Sequence, residues 1–147
     1  MTFSPFRHLD SILWKRKPIQ FTFFLTRRCN AKCPFCFYIS KQDSDVSASS
    51  ELSIDEIEKI APQLGRLLWL AFSGGEIFLR SDLIEITKLF YKTNKPAIIL
   101  LPTNGLLQDT IYQSVEAILR ACPNSSIVVK LSLDGPQAIH DELRGVP

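Results

Sequence analysis

Four short apolar runs constrain this chain more than any other feature: residues 19–26 (IQFTFFLT), 67–72 (LLWLAF), 97–101 (AIILL) and 126–133 (SIVVKLSL). Each is strand-length and rich in β-branched and aromatic residues. Helical patterns lie between and after them: IDEIEKIAPQL, LIEITKLFYKT from Ser81 or Asp82, TIYQSVEAILRAC, and QAIHDEL. Ser53 and Glu56 form a capping-box pattern that opens the first helix, and Pro62 with Gly65 is expected to close it. Strand and helix thus alternate four times, with a repeat of roughly 30 residues in the later units. Consecutive apolar strands separated by helices imply βαβ units, hence a parallel sheet with right-handed crossovers.

In a parallel α/β fold the ligand site lies at the carboxyl ends of the strands. Four motifs follow the four runs: RRCNAKCPFC, SGGE, PTNG and SLDGP. The fold therefore predicts that they share one rim, although they are distant in sequence.

The first motif holds Cys29, Cys33 and Cys36 in a C-x3-C-x2-C spacing. Three thiols are too many for one disulfide and one fewer than a closed tetrahedral zinc site uses. Thiolates so close together suit a soft metal centre. The remaining cysteine, Cys122, falls at a helix end on the side opposite the rim, where a small buried apolar role is expected. His8 and His140 have no ligand-like spacing to the triad, so zinc is disfavoured. A 4Fe-4S cluster held by three cysteines leaves one iron without a protein ligand, an open position for a substrate or cofactor.

Composition narrows the setting. With 147 residues, 46% of them hydrophobic, the chain is long enough for one domain with its own core. The expected division is a preamble over residues 1–20 and a core domain over 21–147. A net charge of +2 creates no field that argues for nucleic acid as a partner. The cluster Lys15, Arg16, Lys17 reads as solvated surface, and SKQDSDVSASSE as a solvated connection. No run of ~18 apolar residues and no leader pattern occur, which predicts a cytoplasmic chain without a transmembrane segment, its thiols kept reduced.

Taken together, the cysteine triad directly after the first strand, GGE after the second and SLDGP after the fourth resemble the radical S-adenosylmethionine superfamily, with IHDELRG similar to its SPASM or twitch branch. The resemblance implies a partial (β/α) barrel with about four of six expected units, the chain stopping short of the rest. It implies a 4Fe-4S cluster on Cys29, Cys33 and Cys36, with Phe35 in the aromatic position before the last cysteine. It also implies S-adenosyl-L-methionine on the open iron, cleaved reductively to a 5'-deoxyadenosyl radical that abstracts hydrogen from a substrate. A one-electron donor such as flavodoxin or ferredoxin would supply the electron. The substrate would be a peptide or protein, or a small cofactor precursor.

By the same resemblance Gly74, Gly75 and Glu76 meet the cofactor's amino group. The glycines let backbone approach, and the carboxylate receives an ammonium. Ser132, then Asp134, would reach its ribose or carboxylate, and Asn104 is a further contact on a common turn signal. Arg144 and His140 are expected to be structural, paired with Asp141 or Glu142. Arg27, Arg28 and Lys32 flank the triad, either offsetting its charge or simply exposed. Trp14 and Trp69 read as packing residues. The alternative to an enzyme is a non-catalytic iron-sulfur module or a remnant of one.

Overall fold

Strand β1 (Gln20–Thr26) opens the fold. It is followed by α1 (Ile54–Leu64), β2 (Trp69–Gly74), a 3-10 turn (Ile77–Leu79), α2 (Leu83–Asn94), β3 (Ile98–Thr103), α3 (Gln108–Ala121), β4 (Ser126–Leu131) and α4 (Gln137–Arg144). These elements belong to a computed structural model that describes residues 17–38 and 51–146, together with positions 6, 9 and 13. His8, Trp14, Lys15, Arg16 and most of the serine-rich connection lie outside the described residues.

The four strands form one sheet in the order β1-β2-β3-β4, and every neighbouring pair is parallel. Register aligns Phe21 with Leu70, Leu70 with Ile99, and Ile99 with Ile127, so these residues share one face. The core gathers on that face, where Leu70, Phe72, Ile99 and Leu101 pack with Ile57 and Ala61 of α1, Ile86 and Phe90 of α2, and Ile118 of α3. Phe90 sits among Phe21, Phe23 and Phe72 with ring centroids 5.9–6.1 Å away. Each such pair adds about 0.5–1.5 kcal/mol beyond area burial.

The apolar strands are not buried on both faces. Thr22 and Phe24 of β1 are exposed, Ile98 and Leu100 of β3 are half-buried, and nearly all of β4 is exposed. Helices that cover one face leave the other for a concave interior, as in a barrel wall; a doubly wound sheet covers both.

Helix α1 begins as its capping box predicts: Ser53 Oγ accepts from the Glu56 N–H, and the Glu56 carboxylate accepts from the Ser53 N–H at 2.8 Å. Pro62 does not close the helix but lies inside its last turns; Gly65 ends it with φ 71°. Asn94, fully buried at the end of α2, donates to Ala61 O at 2.7 Å and Gly65 O at 2.6 Å, satisfying carbonyls that the end of α1 leaves open.

Candidate cofactor site at the strand ends

The cysteine loop leaves β1 at Thr26, just after a register irregularity between Phe24 and Thr26. It is laced directly to SGGE: Gly75 N–H donates to Thr26 O at 2.8 Å, and Glu76 N–H to Arg28 O at 2.9 Å. The approach is too close for any side chain. A Cβ on Gly74, whose φ is +128°, would stand 2.2 Å from Thr26 O, and one on Gly75 would stand 2.1 Å from Arg28 O. Glycine is therefore needed here so that the loop can lie against the end of β2, a packing reason that spacing alone does not reveal.

Glu76 is 1% exposed, and its carboxylate is already engaged. One oxygen accepts from Phe78 N–H at 3.2 Å; the other accepts from Thr103 Oγ1 at 3.0 Å and Asn104 N–H at 2.8 Å. This carboxylate bolts the end of β2 to the end of β3. Asn104 ties PTNG to the cysteine loop: Nδ2 donates to Asn30 Oδ1 at 2.7 Å and lies 3.8 Å from Cys29 Sγ, while Oδ1 accepts from Leu106 N–H at 3.0 Å.

Cys29, Cys33 and Cys36 are half-buried thiols outside any disulfide, and a Cys36 N–H to Cys33 O bond of 3.1 Å turns the loop between the last two. Burial pushes the Cys29 thiol above its ordinary pKa, and the nearby Glu76 and Cys33 add to this, against hydrogen bonds from Ala31 and Asn104. Binding of a metal displaces such a proton. Among the described residues no group of three or more His, Cys, Asp or Glu is set to hold a single ion. A cluster does not require the thiolates to converge on one point, because each takes its own iron. The donor set of three soft thiols on one loop therefore fits an iron-sulfur cluster. Phe35, on the same loop, is about half exposed. Cys122, by contrast, is 1% exposed in the core, where desolvation raises its pKa to about 11.

The fourth motif also reaches the rim. Ser132, half-buried, donates its N–H to Thr103 O at 3.0 Å. The Asp134 carboxylate accepts from Arg144 Nε. His140 Nδ1 accepts from Asp134 N–H at 3.3 Å. Arg144 and His140 thus pair with Asp134, and the expected pairing with Asp141 or Glu142 is corrected: a turn, not the helix surface, supplies the carboxylate.

A second polar cluster went unread in the sequence. Glu51 accepts from Thr26 Oγ1 and from both Nε and Nη2 of Arg28, the latter two at 2.8 and 3.0 Å. Arg28 is therefore neither a bare counter-charge nor simply exposed. Arg80, 6% exposed, donates to Leu25 O at 2.9 Å, Leu52 O at 3.0 Å and Asp82 Oδ1 at 2.8 Å. Together these residues clamp the base of the cysteine loop. Nothing in the spacing of Glu51 and Arg80 marks them, since they lie far apart in unrelated local patterns.

The three other strand-end segments thus contact the cysteine loop: SGGE and PTNG through their own hydrogen bonds, and SLDGP through Arg144. A large apolar groove of about 590 Å³ runs between α3 and β4, lined by Ile111, Tyr112, Val115, Leu119 and Leu131 and reaching Thr103 and Gly105 of PTNG.

Comparison with known proteins gives the same direction. A family model described as "Radical SAM superfamily" matches residues 23–147. The antilisterial bacteriocin subtilosin biosynthesis protein AlbA of Bacillus subtilis is 34% identical over 131 residues, 87% of this chain and 27% of that protein. Fe-coproporphyrin III synthase of Methanosarcina barkeri is 31% identical over 141 residues, 95% of this chain and 33% of that one. A solved structure of hexahistidine-tagged anSMEcpe with bound AdoMet is 26% identical, with a TM-score of 0.63 over 86% of this chain and 35% of its own. The chain spans between 27% and 33% of the length of these two curated relatives.

Proposed function

Because the chain belongs to the radical SAM superfamily, matched over residues 23–147, we propose that it forms the cluster- and cofactor-binding part of an enzyme that cleaves S-adenosylmethionine reductively. The superfamily's cofactors are a 4Fe-4S cluster and S-adenosylmethionine, and the solved relative carries the latter. The observation that carries the proposal is the lacing of the Cys29–Cys33–Cys36 loop to the glycine turn at Gly74 and Gly75.

Cys29, Cys33 and Cys36 would hold the cluster. A cluster held there would supply, once reduced, the electron for reductive cleavage of S-adenosylmethionine to methionine and a 5'-deoxyadenosyl radical that would take hydrogen from the substrate. The chain's own residues do the positioning. Gly74 and Gly75 bring the backbone close beside the cysteine loop, and Glu76 holds that turn against β3. Ser132 and Asn104 stand at neighbouring strand ends as cofactor contacts, and Phe35 offers an exposed ring beside the last cysteine. Asp134 contributes through Arg144, which it orients.

The substrate class we propose is a peptide or protein. AlbA is named for bacteriocin biosynthesis, and PqqA peptide cyclase of Rhodopseudomonas palustris is 36% identical over 131 residues. Flavodoxin or ferredoxin in the cytoplasm would donate the electron. Among the described residues no helix is long and apolar enough to cross a membrane.

The test is anaerobic reconstitution of the chain, iron counting, reduction with dithionite and addition of S-adenosylmethionine. About four irons and 5'-deoxyadenosine by mass spectrometry are expected. Iron loading without 5'-deoxyadenosine above a cluster-free control would point to a non-catalytic iron-sulfur module, and absence of iron loading would overturn the assignment.

A further inference from the structure

Helix α4 has no buried residue, yet its last residue is fixed against a loop 111 positions earlier. Arg144 makes that attachment. Its carbonyl accepts from Lys32 N–H at 2.9 Å and lies 3.7 Å from Cys33 Sγ. Its guanidinium carbon stands 5.5 Å from the centre of the Phe35 ring, Nη1 lies 3.9 Å from Cys33 Sγ, and Nε is held by Asp134. The side chain is only 16% exposed. Gly145 follows in the left-handed region, φ +61°, and a Cβ there would meet Lys32 O at 2.6 Å, so the end of α4 is pressed onto the loop's backbone.

We infer that Arg144 is a positioning residue of the cluster site: its carbonyl docks α4 on the cysteine loop, and its guanidinium, aimed by Asp134 and stacked on Phe35, keeps a fixed positive charge beside Cys33. The inference rests on the cluster reading above. A cation next to a ligating thiolate favours the more negative, reduced form of the cluster, which raises its potential. The planar fork matters as well as the charge, because one guanidinium faces a carboxylate, a sulfur and a ring at once. An ammonium does not serve all three.

Two readouts test it. In the anaerobically reconstituted chain, the midpoint potential is followed by EPR-monitored titration for the parent, Arg144→Gln, Arg144→Lys and Arg120→Gln. Arg120 is an exposed arginine paired with Glu116, so its loss removes the same charge elsewhere. Arg144→Gln should move the potential to more negative values, Arg144→Lys should move it less, and Arg120→Gln should leave it in place. In the metal-free chain, NMR exchange of the Lys32 amide should quicken at least several-fold in Arg144→Gln, because α4 loses its anchor. If Arg144→Gln does not fold, Arg144→Lys carries both measurements. Unchanged potential at normal iron loading, or unchanged Lys32 exchange, would overturn the inference. If the parent takes up no iron while Arg144→Gln still speeds Lys32 exchange, the docking role stands and the cluster reading fails.

Discussion

Glu76 at the end of β2 accepts a hydrogen bond from Thr103 Oγ1 at the end of β3, 3.0 Å away, with the carboxylate wholly enclosed. Two further N–H donors, from Phe78 and Asn104, face the same group. Glu76→Gln would turn an NH2 toward one of these donors. We expect a loss of about 2–3 kcal/mol in urea unfolding, and Thr103→Val should cost about 1 kcal/mol. A Glu76→Gln chain as stable as the parent would show that the bolt contributes nothing.

Gly75→Ala tests the lacing of the two loops. The added methyl would meet Arg28 O at 2.1 Å and Cys29 Cβ at 3.1 Å, so the cysteine loop must shift. Both a lower melting temperature and fewer irons per chain after reconstitution are expected. The exposed Leu119→Ala on α3 should change iron loading little, which separates loop displacement from general instability.

The four cysteines should divide three to one. Cys122 is buried and its thiol is pushed up to about 11, so near neutral pH it stays protonated and shielded from iodoacetamide in the folded chain. Cys29, Cys33 and Cys36 are half-buried and should label. Cys122→Ala should keep full iron loading at a cost of about 1 kcal/mol, whereas alanine at any of the other three should abolish it. Mass-spectrometric mapping of labelled peptides with iron assays decides this.

Acid should loosen the clamp at the base of the loop. Burial raises the Glu51 pKa, but hydrogen bonds from Arg28 and Thr26, with the charges of Arg28 and Arg80, outweigh it and hold the group below its ordinary value. Hydrogen bonds from Arg80 hold Asp82 down as well. Depressed carboxylates contribute stability that is fully present above their unfolded pKa values, about 4, and is lost as pH falls through the lower folded values. Urea midpoints should therefore drop below about pH 4 more steeply in the parent than in a Glu51→Gln, Asp82→Asn double variant. Parallel pH profiles for the two chains would contradict this.

The local facts were legible in the sequence for a physical reason: strand and helix periodicity, the Ser53 capping box and the spacing of Cys29, Cys33 and Cys36 are each contained in a few consecutive residues. Parallel topology followed from their alternation, and topology alone placed the motifs at strand ends. What only the tertiary structure decided was which groups meet there. Glu76 is turned inward to Thr103, Arg144 pairs with Asp134 and reaches Cys33, and Glu51 clamps Arg28. It also decided why Gly74 and Gly75 are glycines, since the neighbour that excludes a Cβ is the cysteine loop's own backbone. Pairings such as these depend on strand register and on the burial of a carboxylate or guanidinium by distant segments, and no short window of sequence encodes either.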